Sequence, residues 1–384
     1  MSIDLRWAAA AALVAATAGC STQSHDVNER TAGSAAASPS ASASAPGPAI
    51  SVSTAATFRI PQGSVGPLAI DAGKVAFPFS DDGSENWNKI AVGDLSTQQS
   101  KLVAQSSWPR GFINWVAVSG DWVAWVEQSS RQSDNDPNVL WEVWAVNLDT
   151  GKKKQLASNG ATPDPYVPQV HGADGYVFWT QAEPDRSAQE LAWKVGSAAP
   201  RQLLRHAEMT PGSESAAGGQ LIYLSRAAGD HHGHTVGGDC WTVPLNGLGA
   251  AKPLTHTALA MGCAASGDQL VWTQHIDPNQ KPLPEDGVLD NPYMVVASKI
   301  DGTAKKILHR GYLSMGYPVA ADDFTVLPVG NSLRVQAISS QARTRLPRGT
   351  IAPSVRAGDG DVLAFTTAGA DETTVQVVTV SVRP

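Results

Sequence analysis

A segment near the start of the chain is rewritten near its end. Arg59-Ile60-Pro61-Gln62-Gly63-Ser64-Val65-Gly66-Pro67 returns as Arg345-Leu346-Pro347-Arg348-Gly349-Thr350-Ile351-Ala352-Pro353, with four positions identical. Each copy runs into a small-residue turn and an apolar triplet, Val75-Ala76-Phe77 and Leu363-Ala364-Phe365. One supersecondary unit therefore recurs at the two ends of the chain. The duplication predicts a ring whose first strand completes its last sheet.

Between the two copies a pattern repeats. A Gly/Asp turn falls at Ala72-Gly73, Gly120-Asp121, Asp174-Gly175, Gly218-Gly219, Gly267-Asp268, Asp322-Asp323 and Gly358-Asp359, at intervals of roughly 40 to 55 residues. Each turn is followed by an apolar run such as Val123-Ala124-Trp125, Val177-Phe178-Trp179 or Leu270-Val271-Trp272. Such β-branched and aromatic runs suit strands sandwiched between sheets. A third strand alternates, most clearly in Glu142-Val143-Trp144-Ala145-Val146-Asn147-Leu148. Asp149-Thr150-Gly151 turns it into a fourth strand, Lys153-Lys154-Gln155-Leu156, whose lysines suit an exposed edge. This period is that of a four-stranded propeller blade. The expected fold is all-β, a seven-bladed β-propeller of four-stranded antiparallel blades closed by the N-terminal strand, with six blades as the alternative. Residues 55 to 61 are expected to pair with the last blade.

The stretch from Val118 to the Asp149-Thr150-Gly151 turn resembles the repeat of TolB-type, WD40-like propellers. The resemblance extends as a pattern over residues 65–384. It implies a propeller and extracytoplasmic interaction, and no particular substrate.

The N-terminus points to export. Ala8 to Ala18 is apolar but too short to span a bilayer, and it ends at Thr17-Ala18-Gly19-Cys20. That ending resembles a bacterial lipobox, with Thr17 where Leu is usual. It implies lipidation of Cys20 and anchoring to the outer face of the cell membrane. Without that modification the protein would be secreted. Residues 21–54 are rich in Ser, Ala, Pro and Gly and read as a disordered tether. The expected organisation is thus a signal peptide at 1–20, a tether at 21–54 and a propeller at 55–384. The net charge of -7 and the 16% of charged residues offer no footprint for nucleic acid. Beyond Cys20 only Cys240 and Cys263 remain, and an oxidising compartment predicts a disulfide between them.

The longest insertions fall between second and third strands, at Ser80 to Trp87, Ser129 to Asn138, Ala182 to Glu190, Ala227 to Asp239 and Ile276 to Pro292. In a propeller these share one face with the blade-to-blade connections. One-sided elaboration marks a working surface. His231, His232, His234 and Asp239 in one such loop, with His275 opening the next, have the donor types that bind zinc or a similar ion. No regular spacing fixes a ligand set among them. His206, His256 and His309 each follow a fourth strand and could ring the channel mouth. Trp108 beside Arg110 is the best candidate for an exposed stacking surface. Ser80 to Trp87 resembles the Asp-box of sialidase propellers, but Ser84 stands where that motif needs Gly. No nucleophile elbow, Walker loop or dinucleotide fingerprint appears.

These features predict a cell-surface, lipid-anchored, monomeric propeller. It would act as a non-catalytic binding or scaffold module for an extracytoplasmic protein, peptide or cell-wall glycan, without a cofactor. The alternative is a metal-dependent propeller enzyme, such as a lyase, lactonase or other hydrolase, with a His-lined site at the channel mouth.

Overall fold

The computed structural model describes residues 48–384 except 62, 131–138, 161–166, 183–186, 207–213, 227–237, 276–290, 314–317, 330–331, 341, 347–349, 358–359, 369–371 and 384. The described residues form strands joined by turns. No helix among them is long and apolar enough to cross a membrane. The strands make six hydrogen-bonded antiparallel sheets. Four of these have four strands, for example Phe112–Ser119, Trp122–Gln128, Trp141–Asn147 and Lys153–Ser158 side by side in chain order. The sheet of eight strands is two such meanders, joined where Gly238 pairs with Ala260.

Turn chemistry explains the meanders. Ala72, Gly73, Gly120, Asp174, Gly175, Gly218, Gly219 and Gly267 all take positive φ. That is the backbone of tight hairpins whose twist matches the flanking strands. The last such turn includes Gly360, between the strands Thr350–Ala357 and Val362–Ala368; Gly358 and Asp359 lie outside the described residues.

The core lies between neighbouring sheets. Val126, Trp141, Val143, Trp179 and Trp193 form one apolar layer, and Val92, Val116, Val123 and Trp125 form another. Each second strand is apolar on both faces because both meet another sheet. The innermost strands touch in chain order. Ala69–Asp71 meets Phe112–Ser119, followed by Val170–Ala173, Ser215–Ala217, Ala260–Ser266, Val319–Ala320 and Thr350–Ala357. Thr350–Ala357 then meets Ala69–Asp71 again. These strands approach so closely that a Cβ at Gly172 would lie 2.2 Å from the Val118 carbonyl oxygen.

The strand Ala49–Pro61 pairs along its length with Glu372–Arg383, from Ala49 opposite Arg383 to Pro61 opposite Glu372. Pairing of residues 55 to 61 with the last sheet is as the duplicated segment predicts. The strand starts earlier, however, at Ala49, so residues 49–54 belong to it and not to the tether. Composition misplaced that boundary because Ala49-Ile50-Ser51-Val52-Ser53-Thr54 alternates Ser and Thr with small apolar residues, as a half-buried edge strand does.

The outermost strands are latched rather than bare. Lys154 Nζ donates to the carbonyls of Ser197 at 2.7 Å and Ala198 at 2.6 Å, in the next sheet's hairpin turn. Lys101 reaches the Leu148 carbonyl, Arg201 that of Asn246 and Lys306 that of Ser339. Lys153 lies 4.1 Å from the centre of the Trp144 ring. The edge lysines therefore cap the neighbouring turn and cover indole faces.

Candidate functional site

The first strand of each sheet begins, and the second ends, at the end of the sheets that carries the long insertions. Buried polar groups gather just beneath that end. Thr180 and Glu190 sit directly opposite each other on the second and third strands of one sheet. Glu214 immediately precedes the innermost strand Ser215–Ala217 of the next sheet. His171 lies on the innermost strand Val170–Ala173, opposite Phe178 and stacked on its ring at 5.7 Å. The Trp115 ring lies 6.5 Å from the imidazole on the other side.

These groups form a chain. Thr180 Oγ1 is 2.6 Å from Glu214 Oε1 and 3.2 Å from Glu190 Oε1. His171 Nε2 is 3.3 Å from Glu214 Oε2. Glu190 is fully buried and Glu214 nearly so. Burial, and then the charge of Glu214, push the Glu190 carboxyl well above the usual carboxylate range. Burial works against ionisation of Glu214 too, but His171 and then the Thr180 hydroxyl hold it below its ordinary value. Burial, and then Glu190, raise the Tyr223 hydroxyl. The two carboxyls are thus pushed in opposite directions, Glu190 upward and Glu214 downward, as expected when two acids share a low-dielectric site. A threonine hydroxyl has one proton. The closer carboxylate, Glu214 Oε1 at 2.6 Å, accepts it in a hydrogen bond, and Glu190 Oε1 lies 3.2 Å away.

Two other carboxylates, the buried Glu127 and the half-buried Asp239, do a different job. Glu127 Oε1 accepts from Ser106 Oγ at 2.7 Å, from the Ser107 amide at 2.5 Å and from Ser107 Oγ at 3.0 Å. Asp239 Oδ1 accepts from Thr255 Oγ1, the Thr257 amide and the Ala258 amide. Each pins the connection that arrives from an outermost strand.

No family model and no curated protein matches the chain. Solved structures do. An oligogalacturonate lyase in complex with manganese is 12% identical, over 87% of this chain and 97% of that one, with a TM-score of 0.55. The β-propeller domain of the Trilobed protease from Pyrococcus furiosus, reported with an open velcro topology, is 9% identical over 82% and 95%, with a TM-score of 0.54. The fold is a β-propeller. TolB from Acinetobacter baumannii is also among the similar structures, 14% identical over 74% of this chain and 78% of that one, with a TM-score of 0.42.

With the propeller in view, the residues singled out from the sequence can be placed. Cys240 and Cys263 are joined by a disulfide with Cα atoms 5.9 Å apart, linking a third strand to the innermost strand of the next meander. Both are buried. His231, His232 and His234 lie outside the described residues, as does Cys20. Asp239 is the clamp just described. His275 ends a second strand, Gln269–His275. Among the described residues no group of three or more His, Cys, Asp or Glu is placed to hold a metal ion. His206 ends an outermost strand, and His309 lies within another, Lys306–Leu313, with its Nδ1 3.4 Å from Arg334 Nη1. His256 is exposed on the connection that follows Lys252–Pro253. The structure sets these three on or just past outermost strands. His206 and His309 fall within their outermost strands, while His256 lies three residues past a short one. Trp108 is half-buried and Arg110 exposed.

The Glu190–Thr180–Glu214–His171 set was not anticipated. One signal was available. In Ala188-Gln189-Glu190-Leu191-Ala192-Trp193, Glu190 falls in phase with the buried Ala188 and Ala192. A carboxylate on the core side of an alternating strand marks a buried ionisable group.

Proposed function

We propose that the chain is a lipid-anchored, seven-bladed propeller, closed by the strand Ala49–Pro61, that serves outside the cell as a non-catalytic binding module. The cyclic order of contacts among innermost strands supports the blade count and the closure. The observation that carries the binding role is the one-sidedness of the fold. Residues 129–140, 227–237 and 276–290 all join second to third strands and so share one face. The opposite connections are tight turns. A surface of separate long segments on a rigid scaffold suits capture of an extracytoplasmic protein, peptide or glycan. Replacing 227–237 and 276–290 by short Gly-Ser links, and repeating cross-linking capture with native envelope material, tests this. Loss of the captured species is expected, and unchanged capture refutes the assignment of the face. Anchoring is tested separately, because Cys20→Ser should release the protein from the membrane.

A second reading is favoured by the buried carboxyl pair. Two acids pushed in opposite directions, beside a hydroxyl and an imidazole, are the arrangement acid–base chemistry uses. In the metal-dependent version of that reading, stoichiometric metal survives dialysis and melting falls in chelator. Metal-free protein with unchanged melting removes that version.

A further inference from the structure

The sheet of Val319–Ala320, Phe324–Val329, Ser332–Ala337 and Arg343–Arg345 carries arginines on its outer half. Arg334, on the third strand, sits directly opposite Arg345 on the outermost one, and Gln336 directly opposite Arg343. Opposed residues share a face, as do residues two apart along a strand. Arg334, Arg343 and Arg345 therefore project from one face. That face looks onto the outermost strand of the preceding meander, Lys306–Leu313. Gln336 Nε2 donates to the Leu308 carbonyl there at 2.6 Å, and Arg334 Nη1 lies 3.4 Å from His309 Nδ1. These two contacts fix the seam between the strands. Arg334 is half-buried in it, while Arg343 and Arg345 are exposed.

No carboxylate among the described residues answers this charge. Other cations of the fold are met, Arg59 by Glu372, Lys74 by Asp121, Lys89 by Asp81 and Lys299 by Asp268. Among the described residues Arg334, Arg343 and Arg345 have no such partner, in a chain whose net charge is -7. Like charges directly across a strand pair oppose folding. Burial, and then the charges of Arg343 and Arg345, hold the Arg334 guanidinium below its ordinary value. Water serves the two exposed side chains, but it reaches the half-buried Arg334 less well. The result is a concentration of positive charge at a fixed seam.

We propose that this face binds a phosphate group, free or as a small monoester, held between Arg334, Arg343 and Arg345. A guanidinium presents its N–H donors as a planar fork that fits a phosphate bidentately. A phosphate monoester carries about 1.5–2 negative charges at pH 7, so it answers more of the cluster than the single charge of a carboxylate does. Bound there, it would offset the repulsion between Arg334 and Arg345 and leave the contact between Arg334 and His309 in place. The site sits on outer strands and uses none of the long insertions, so its failure leaves the reading of that face untouched.

The test follows the line broadening of inorganic phosphate and of glycerol phosphate by phosphorus NMR, with the full chain in chloride buffer. Broadening is expected, and the tighter of the two ligands distinguishes free phosphate from the ester. Equimolar acetate should displace neither. Arg345→Gln and Arg343→Gln should each weaken binding by about tenfold, Arg345→Lys by less, and Lys152→Gln, a charge loss on a turn of another sheet, should change nothing. Arg343 and Arg345 are exposed, so their Gln variants should melt no lower than the parent in chloride. A lower melting point would show that these arginines already have partners in the fold, and would overturn the proposal. No broadening at millimolar concentration, displacement by equimolar acetate, or binding indifferent to both Gln variants would each overturn it as well.

Discussion

Phe58 is one residue through which the strand Ala49–Pro61 touches the first sheet. It lies on Ala49–Pro61, pairs across to Val375 in the last sheet and is 3% exposed. Its ring also covers Gly93, on the third strand of the first sheet. A Cβ built at Gly93 would fall 2.4 Å from Phe58 Cζ and 2.6 Å from Cε2. Gly93 does not take positive φ, so alanine is acceptable to its backbone and only the contact opposes it. Gly93→Ala should cost about 1–3 kcal/mol for overpacking, eased by a few tenths from the stiffer unfolded chain. Phe58→Ala should cost about 3–5 kcal/mol for the emptied space. In the double variant the new methyl has room, so its cost should fall short of the sum by at least about 1 kcal/mol. Urea unfolding of the full chain bearing Cys20→Ser, with all four members of the cycle compared, measures this. Strict additivity would mean that Phe58 does not face Gly93. The strand Ala49–Pro61 would then not join the last sheet to the first, and the closed ring would fail with it.

Further expectations follow from the contacts. Glu190 has a raised folded value, so its contribution to stability is whole below the unfolded carboxyl value of about 4.3 and is lost as pH rises toward the folded one. Glu190→Gln should therefore gain on the parent protein between pH 5 and pH 8 in urea unfolding, and a constant difference would show that Glu190 is ionised in the fold. Glu214 has a lowered folded value, so its contribution stands above the unfolded value and is lost as pH falls. Glu214→Gln should cost about 1.5–3 kcal/mol at neutral pH and less in acid. Removing the disulfide by a double alanine substitution opens a loop of sequence separation 23 and should cost about 3 kcal/mol by the chain-entropy argument, read as a shifted urea midpoint that reductant no longer changes. Lys154→Met should cost about 1–2 kcal/mol, because the Ser197 and Ala198 carbonyls lose a charged donor; a change within about 0.5 kcal/mol would mark the lysine as an ordinary surface residue.

The repeat was readable because it is local. A positive-φ turn, an apolar second strand and an alternating third strand lie within one blade, and their residue types announce them. Pairing of the first strand with the last was readable because the chain wrote the same strand twice. The site was not, because it is assembled across blades. His171, Thr180 and Glu190 come from three strands of one sheet and Glu214 from the connection into the next, at spacings that match no motif. The histidines misled for a related reason. They recur near fourth strands, but two lie within the strand and one beyond it, because sequence recurrence does not say how far the outer strand runs.

The buried and half-buried carboxylates divide by what they face. Glu127 and Asp239 face amides and hydroxyls of an incoming connection, and an ionised acceptor is what those donors need. Those hydrogen bonds account for one oxygen of each, Glu127 Oε1 and Asp239 Oδ1. Glu214 is explained as well, by Thr180 and His171. Glu190 is not. It adds a second carboxyl to a place where one already satisfies the donors, and burial favours its protonated form. A fold gains nothing from that arrangement that glutamine or methionine would not supply at lower cost. Residues of this kind persist where stability is traded for activity. Glu190→Met should accordingly raise the urea midpoint while impairing partner capture or any activity found at the long-insertion face. A variant that is both more stable and fully competent in capture would return Glu190 to the scaffold and leave that face to its loops alone.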